Sequence, residues 1–167
     1  MDDKTLNSLV DAVTKNILNI SKAESPSYAK GFITLNCAKK LAKRVEDEAA
    51  RIGVKAVVAI TNAAARPVLI ECMDDSYIAS YDIALNKAYT SVSLKMPTSN
   101  LKSLTRPGDA LYGIQYTNEG QIVIFGGGVP LIQNGTIIGA LGVSGGSEED
   151  DTYLAEFGAK VFREELS

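Results

Sequence analysis

Lys87 sits in the run Ala84-Leu85-Asn86-Lys87-Ala88-Tyr89, a cation among small and aromatic residues. A lysine drawn partly out of water can serve as a base or an anion anchor, whereas one at the surface is a charge on a long aliphatic stem. Glu71, Asp74 and Asp75 form the acidic group that precedes it. Together they make an oxygen-only set of the kind that suits a hard cation, and singly Asp74 or Asp75 suits the start of a helix. Gly126-Gly127-Gly128 offers amides for cradling an anion, or the freedom for a tight bulged connection between strands. It matches neither a P-loop nor a Gly-x-Gly-x-x-Gly turn opening a helix. Ser144 occupies no Gly-x-Ser-x-Gly elbow, and the chain has no histidine. That composition removes the usual activator of a serine nucleophile and the commonest ligand for metals and haem. Gly145-Gly146-Ser147 precedes four acids, Glu148 to Asp151. Their charge complements the positive end of a helix and repels phosphate, so this stretch reads as a cap.

These residues need elements to hold them. Asn134-Gly135, between two apolar runs, favours the positive φ angles of a hairpin turn. Residues 136–143 then form a strand interrupted by Gly139 and Gly142, which suggests a backbone or a ligand in close approach. Ser147 opens a helix to about residue 165, with Asp150 where a capping box needs its acid. Upstream, Thr34 caps a helix to about Ile52, stopped by Gly53, whose buried face is Ala38, Leu41, Ala42, Val45, Ala49 and Ile52. Residues 54–61 and 68–73 read as strands joined by a turn. Residues 76–95 read as a longer helix with apolar or small residues on most sides, a pattern that predicts burial between layers. Residues 98–117 are irregular, and 122–125 read as one more strand. Residues 2–20 form a separate amphipathic helix, with Leu6, Leu9, Val10, Val13, Ile17 and Ile20 on one stripe at about 100° per residue. A linker follows to residue 30. The organisation expected is an amino-terminal helix and linker over 1–30 and a domain over 31–167, of α+β class. That domain has about five strands in one mainly antiparallel sheet packed by helices.

With 167 residues, 46% hydrophobic and 22% charged, the chain is sized for one buried core. A net charge of −3 with no basic run argues against nucleic acid. No apolar run approaches the roughly 18 residues of a membrane span, and no signal-peptide pattern opens the chain, so a cytoplasmic location is expected. Cys37 and Cys72 read as reduced thiols.

Gly126-Gly127-Gly128-Val129-Pro130-Leu131, then Asn134-Gly135, then Gly139-Ala140-Leu141-Gly142-Val143-Ser144-Gly145-Gly146 resembles the GlcG/HbpS haem-binding-like family. The same domain ends PduO-type cobalamin adenosyltransferases. The likeness spans about residues 32–165. It includes Met73, Asp74, Ala84, Lys87 and Ala88, and later Asp151, Ala155 and Gly158. Cys72 replaces an arginine of the family pattern, and Asp75-Ser76 replace Gly-Ala. The resemblance implies a profilin-like or PAS-like sandwich and a homo-oligomer, octamer-like. It also implies an accessory protein binding haem or another small organic ligand. The site it implies is Met73, Asp74, Lys87, Gly126, Gly127, Gly128 and Pro130, in a pocket between sheet and central helix.

Without histidine, haem iron would need another ligand, and tyrosine and cysteine thiolate are known to serve. The candidates by type are Tyr28, Tyr77, Tyr81, Tyr89, Cys37, Cys72, Met73 and Met96. The helix over 1–20 either docks on the protein's own core or a sister subunit, or resembles the encapsulation peptides of bacterial microcompartment cargo for diol or related catabolism. Two further readings stand beside the binding protein. One is an enzyme acting on a small metabolite through Lys87 and Asp74. The other is a structural protein that docks a shell or partner through residues 1–20.

Overall fold

Thr34 begins the first helix as its composition requires: its Oγ1 accepts a hydrogen bond from the Cys37 amide at 3.2 Å. The helix α1 (Leu35–Arg51) buries Ala38, Leu41, Ala42, Val45 and Ala49 and ends before Gly53, whose φ of +80° only glycine adopts freely. The computed structural model describes residues 31–166; the helix expected over 2–20, its linker and Tyr28 lie outside the described residues.

Strands β1 (Val57–Asn62) and β2 (Pro67–Cys72) form one antiparallel hairpin, and β3 (Gly128–Gln133) and β4 (Thr136–Ser144) form another. Asn134 and Gly135 turn the second hairpin with φ of +49° and +74°. β1 pairs antiparallel with β4, so the sheet runs β2-β1-β4-β3 and its interior strands are the apolar pair. Pro130, which has no N–H to donate, falls on edge strand β3, where a ladder tolerates it.

The sheet has four strands among the described residues, not five. Residues 122–125 carry a strand's composition, and Ile122 and Val123 are buried. The Val123 amide, however, donates to Thr90 Oγ1 at 3.0 Å, and the one proton of that hydroxyl faces the Asn86 carbonyl at 2.7 Å and the Gln121 carbonyl at 3.2 Å. A helix side chain takes the bonds that a ladder would have used.

The central helix α2 (Ser80–Leu94) starts later than expected. Asp74 and Asp75 do not cap it: Ala79 holds the cap position with no side-chain bond, and Asp75 sits in a turn at φ +65°. The last helix, α3 (Glu148–Val161), has the full capping box, with Ser147 Oγ accepting from the Asp150 amide and the Asp150 carboxylate accepting from the Ser147 amide.

Two faces of the sheet are covered differently. Val58, Ile60, Leu131, Leu141 and Val143 pack with α1 and α3 residues such as Leu41, Val45 and Leu154, all large and interdigitated. Toward α2 the sheet presents Val57, Ala59 and Ala140 against Ala84 and Ala88. At Gly142 helix and sheet backbones touch: a Cβ there would lie 2.7 Å from the Ala88 nitrogen and nearer still to the Ala84 carbonyl. Gly139 is likewise closed in by the Thr61 carbonyl and Ile33. The close approach read from these two glycines is therefore made by the protein's own backbone. It leaves no space for a ligand between sheet and central helix at Gly142. α3 also packs closely through a glycine, with Gly158 seated on the side chains of Leu141 and Val45.

Candidate functional site

Lys87 is fully buried. α2 directs it across the end of the sheet, where its Nζ donates to Asp151 Oδ2 at 2.6 Å and to the Val143 carbonyl at 2.8 Å. The ammonium also stands 5.0 Å from the centroid of the Phe125 ring, within cation–π range. Asp151, in the first turn of α3, uses its other oxygen to accept from the Gly146 amide at 2.9 Å. Loss of water pulls the Lys87 ammonium below the usual lysine range, with Asp151 opposing. The same burial pushes the Asp151 carboxyl up, with Lys87 opposing. A lysine so enclosed is neither a surface snorkel nor the partner of Asp74, which is exposed.

The triple glycine wraps this ion pair. Gly127 takes φ +110°, and a Cβ on it would stand 2.6 Å from Lys87 Nζ and 2.8 Å from the Val143 carbonyl. One on Gly128 would stand 2.6 Å from the Lys87 carbonyl. The Gly126 amide donates to Glu148 Oε1 at 3.2 Å and the Gly128 amide to Thr98 Oγ1 at 2.9 Å. Two of the three amides are thus engaged inside the protein, so this loop is a packing device around Lys87 and not an open anion cradle. Glu148 also pairs with Lys102, and that contact, then the Gly126 amide, hold its carboxyl below the usual range.

Beside the ion pair lies a cleft of about 320 Å³. Tyr77 and Ile83 line it from the α2 side, Phe125 from the glycine loop, and Ser144, Glu148 and Asp151 from the β4–α3 junction. Its polar lining includes Ser80 and Ser144, whose hydroxyls stand 3.1 Å apart. Tyr77 is 72% exposed and Phe125 38%, so aromatic surface faces solvent at the rim. This arrangement offers hydroxyls and two carboxylates, Glu148 and Asp151, to a polar edge and two rings to a flat apolar face.

The expected site residues divide. Lys87, Gly126, Gly127 and Gly128 meet around the ion pair, and Asp151, which lines the cleft, completes it. Met73 does not join them: its sulfur accepts from the Ala56 amide at 3.4 Å and it packs against the α1 and α3 side of the core. Asp74 is exposed beyond it, and Pro130 belongs to the edge strand. No cluster of three or more metal-ligating side chains exists among the described residues, which removes the Glu71, Asp74 and Asp75 set. Glu71 instead faces Glu46 of α1, whose carboxyl is pushed up by burial and then by Glu71. Sequence reasoning missed Phe125 as the ring over Lys87, and Asp151 as its counter-ion. Asp151 was already among the residues matching the family pattern, which was the signal available.

A family model described as haem degrading protein HbpS-like matches residues 33–160. The chain belongs to the HbpS-like family. Over 132 residues it is 47% identical to a 15.0 kDa Citrobacter freundii protein from the dhaT-dhaS intergenic region, covering 79% of this chain and 93% of that one. It is 32% identical to the corrinoid adenosyltransferase PduO of Citrobacter freundii, covering 92% of this chain and 46% of PduO. This HbpS-like chain thus spans about half the length of that relative and resembles its C-terminal domain. Among solved structures it is similar to a crystal structure of a PduOC complex with haem. That match has a TM-score of 0.75 and 33% identity, covering 77% of this chain and 94% of that one. The α+β architecture expected from the sequence is shared with the solved PduOC and HbpS structures. No helix among the described residues is long and apolar enough to cross a membrane.

Proposed function

We propose that this HbpS-like protein is an accessory ligand-binding protein. Its cleft beside the Lys87–Asp151 pair takes a small, flat organic ligand, with haem the first to test. One observation carries the reading: of the tyrosine, cysteine and methionine residues able to bind iron, Tyr77 lines this cleft, with Phe125 on the opposite element. Tyr89 lines a different cleft, and Met73 is turned into the core. A phenolate is an established haem ligand, so Tyr77 is of a type that can ligate iron despite the absence of histidine. Tyr77 would hold the iron, Phe125 and Ile83 would flank the ring system, and the Ser80 and Ser144 hydroxyls would meet a polar edge. Haem, when bound, would supply a redox-active iron. The chain's own contribution is a cleft wall that the buried ion pair keeps rigid. The similar PduOC–haem complex supports this choice of ligand.

The assembly proposed with it is a homo-oligomer, with residues 1–20 directing the protein to a bacterial microcompartment shell or cargo. The relatedness to PduO supports that setting.

The test is a haemin titration of the full-length protein followed by visible absorption. A saturable Soret shift at one haem per subunit, weakened at least tenfold in Tyr77→Phe, is the expected result. A featureless, non-saturating response overturns haem as the ligand. A saturable shift unchanged in Tyr77→Phe overturns the site. Fusing residues 1–20 to a soluble reporter tests the targeting role, which fails if the reporter does not co-sediment with shells.

A further inference from the structure

A second cleft, of about 440 Å³, opens where the β1–β2 turn meets the side of α2. It shares no residue with the cleft at Tyr77. Its polar lining is Arg66, Asn86, Tyr89 and Gln121, and Leu85 and Pro67 supply apolar wall.

Arg66 is the one charged residue lining this cleft, and none of the ion pairs among the described residues includes it. It stands on a turn that is fixed at both ends. Asn62 Oδ1 accepts from the amides of Ala64 and Arg66 at 2.9 and 3.0 Å, and the Asn62 amide donates to the Arg66 carbonyl at 2.9 Å. Pro67 restricts Arg66 to extended backbone. Between Ala64 and Arg66, Ala65, which also lines the cleft, is held at φ +57°, a left-handed conformation that side chains other than glycine's disfavour. The strand register also shifts between Ile60 and Thr61, next to the turn. Bulges and left-handed residues of this kind collect where a backbone is shaped to present a group.

The opposite wall is fixed in the same manner. Asn118 Nδ2 donates to the Tyr89 hydroxyl at 3.1 Å, and Asn118 and Glu119, at φ +50° and +58°, lie in the segment that delivers Gln121. A guanidinium with a planar fork of donors, two side-chain amides and a phenol, all held by rigid backbone, is a donor-rich set that lacks a counter-charge.

We propose that this cleft is a second binding site, for a small organic anion. Arg66 pairs with its carboxylate or phosphate group, Asn86, Tyr89 and Gln121 hydrogen-bond the remaining oxygens, and Leu85 and Pro67 cover a short carbon chain. Carboxylate and phosphate present the same oxygen geometry to the fork, and the test separates them.

Amide chemical shifts of the full-length protein are followed by NMR during titration with inorganic phosphate and, separately, with butyrate. Sodium chloride at matched ionic strength is the control. The expected result is saturable shifts at residues 64–66, 86, 89 and 121 with one anion or both, weakened at least tenfold in Arg66→Gln. Saturation by phosphate alone identifies a phosphoryl group, and saturation by butyrate alone identifies a carboxylate. Shifts that track ionic strength, or that persist in Arg66→Gln, overturn the proposal. If Arg66→Gln disturbs the fold, Tyr89→Phe decides: affinity reduced severalfold supports the site, and unchanged affinity overturns it.

Discussion

Lys87 Nζ and Asp151 Oδ2 stand 2.6 Å apart across 64 positions of sequence, and both side chains are almost wholly removed from water. The pair ties the central helix to the first turn of α3, and the Val143 carbonyl and Gly146 amide take further hydrogen-bonding capacity. Breaking such a pair from one side leaves a buried charge without compensation, which typically costs about 3–5 kcal/mol. Lys87→Met and Asp151→Leu should each destabilise by about that amount in urea unfolding. The double variant should lose clearly less than the sum. Additive losses would mean that the two groups do not act as a pair.

Glycine positions separate into two kinds of constraint. Gly135 needs φ +74° but has open space where a Cβ would go, so Gly135→Ala should cost about 1 kcal/mol. Gly142 has α2 backbone atoms on that side, and neither helix nor strand can shift without breaking its ladder. Gly142→Ala should lose about 3 kcal/mol or more, or yield no folded protein. Thermal unfolding of both variants against the parent checks the order.

Glu48 of α1 accepts from Arg51 at 2.6 and 2.8 Å and from the Tyr153 hydroxyl of α3. These contacts, Arg51 first, pull its carboxyl down to about 2 from an ordinary 4.5. A carboxyl with a depressed folded-state value stabilises above its unfolded value. Its contribution here is complete above about pH 4.5 and is lost as pH falls toward 2. Carboxyl NMR titration should find Glu48 protonating last among the glutamates of α1, and Tyr153→Phe should move its midpoint upward. A midpoint near 4.5 in the parent protein would show the contacts to be absent in solution.

Tyr77 is largely exposed and belongs to none of the core clusters among the described residues. Tyr77→Phe should therefore leave the urea midpoint unchanged while weakening haemin binding at least about tenfold, near 1.4 kcal/mol. A fall in stability together with binding would make the tyrosine structural.

Ser147→Ala should cost about 1 kcal/mol, because its hydroxyl satisfies the Asp150 amide at the start of α3. Far-ultraviolet circular dichroism through a urea titration would detect it, and an unchanged midpoint would show the cap to be dispensable.

Local rules carried the reading of much of the fold. Thr34, Gly53, Asn134-Gly135 and the Ser147–Asp150 box each act within a few residues of themselves, so their types specify helix ends and a turn directly. The strand expected at 122–125 does not form, and α2 starts later than expected, for the converse reason. Thr90 captures the Val123 amide from a different element, and no local pattern reports that competition.

By itself the sequence determined most of the described elements, the α+β class and the family, because periodicity, caps and glycine spacing act over short distances or as a contiguous motif. It also singled out Lys87, the triple glycine and Gly142 as positions under constraint. Only the tertiary structure decided what constrains them. Asp151 neutralises Lys87, Gly127 leaves room for that ammonium, and α2 backbone fills the space at Gly142. The same is true of the cleft, whose Tyr77, Phe125 and Asp151 come from separate elements. Charge pairing and close packing depend on distance in space, and chain order does not encode that distance until the sheet has brought its two hairpins together.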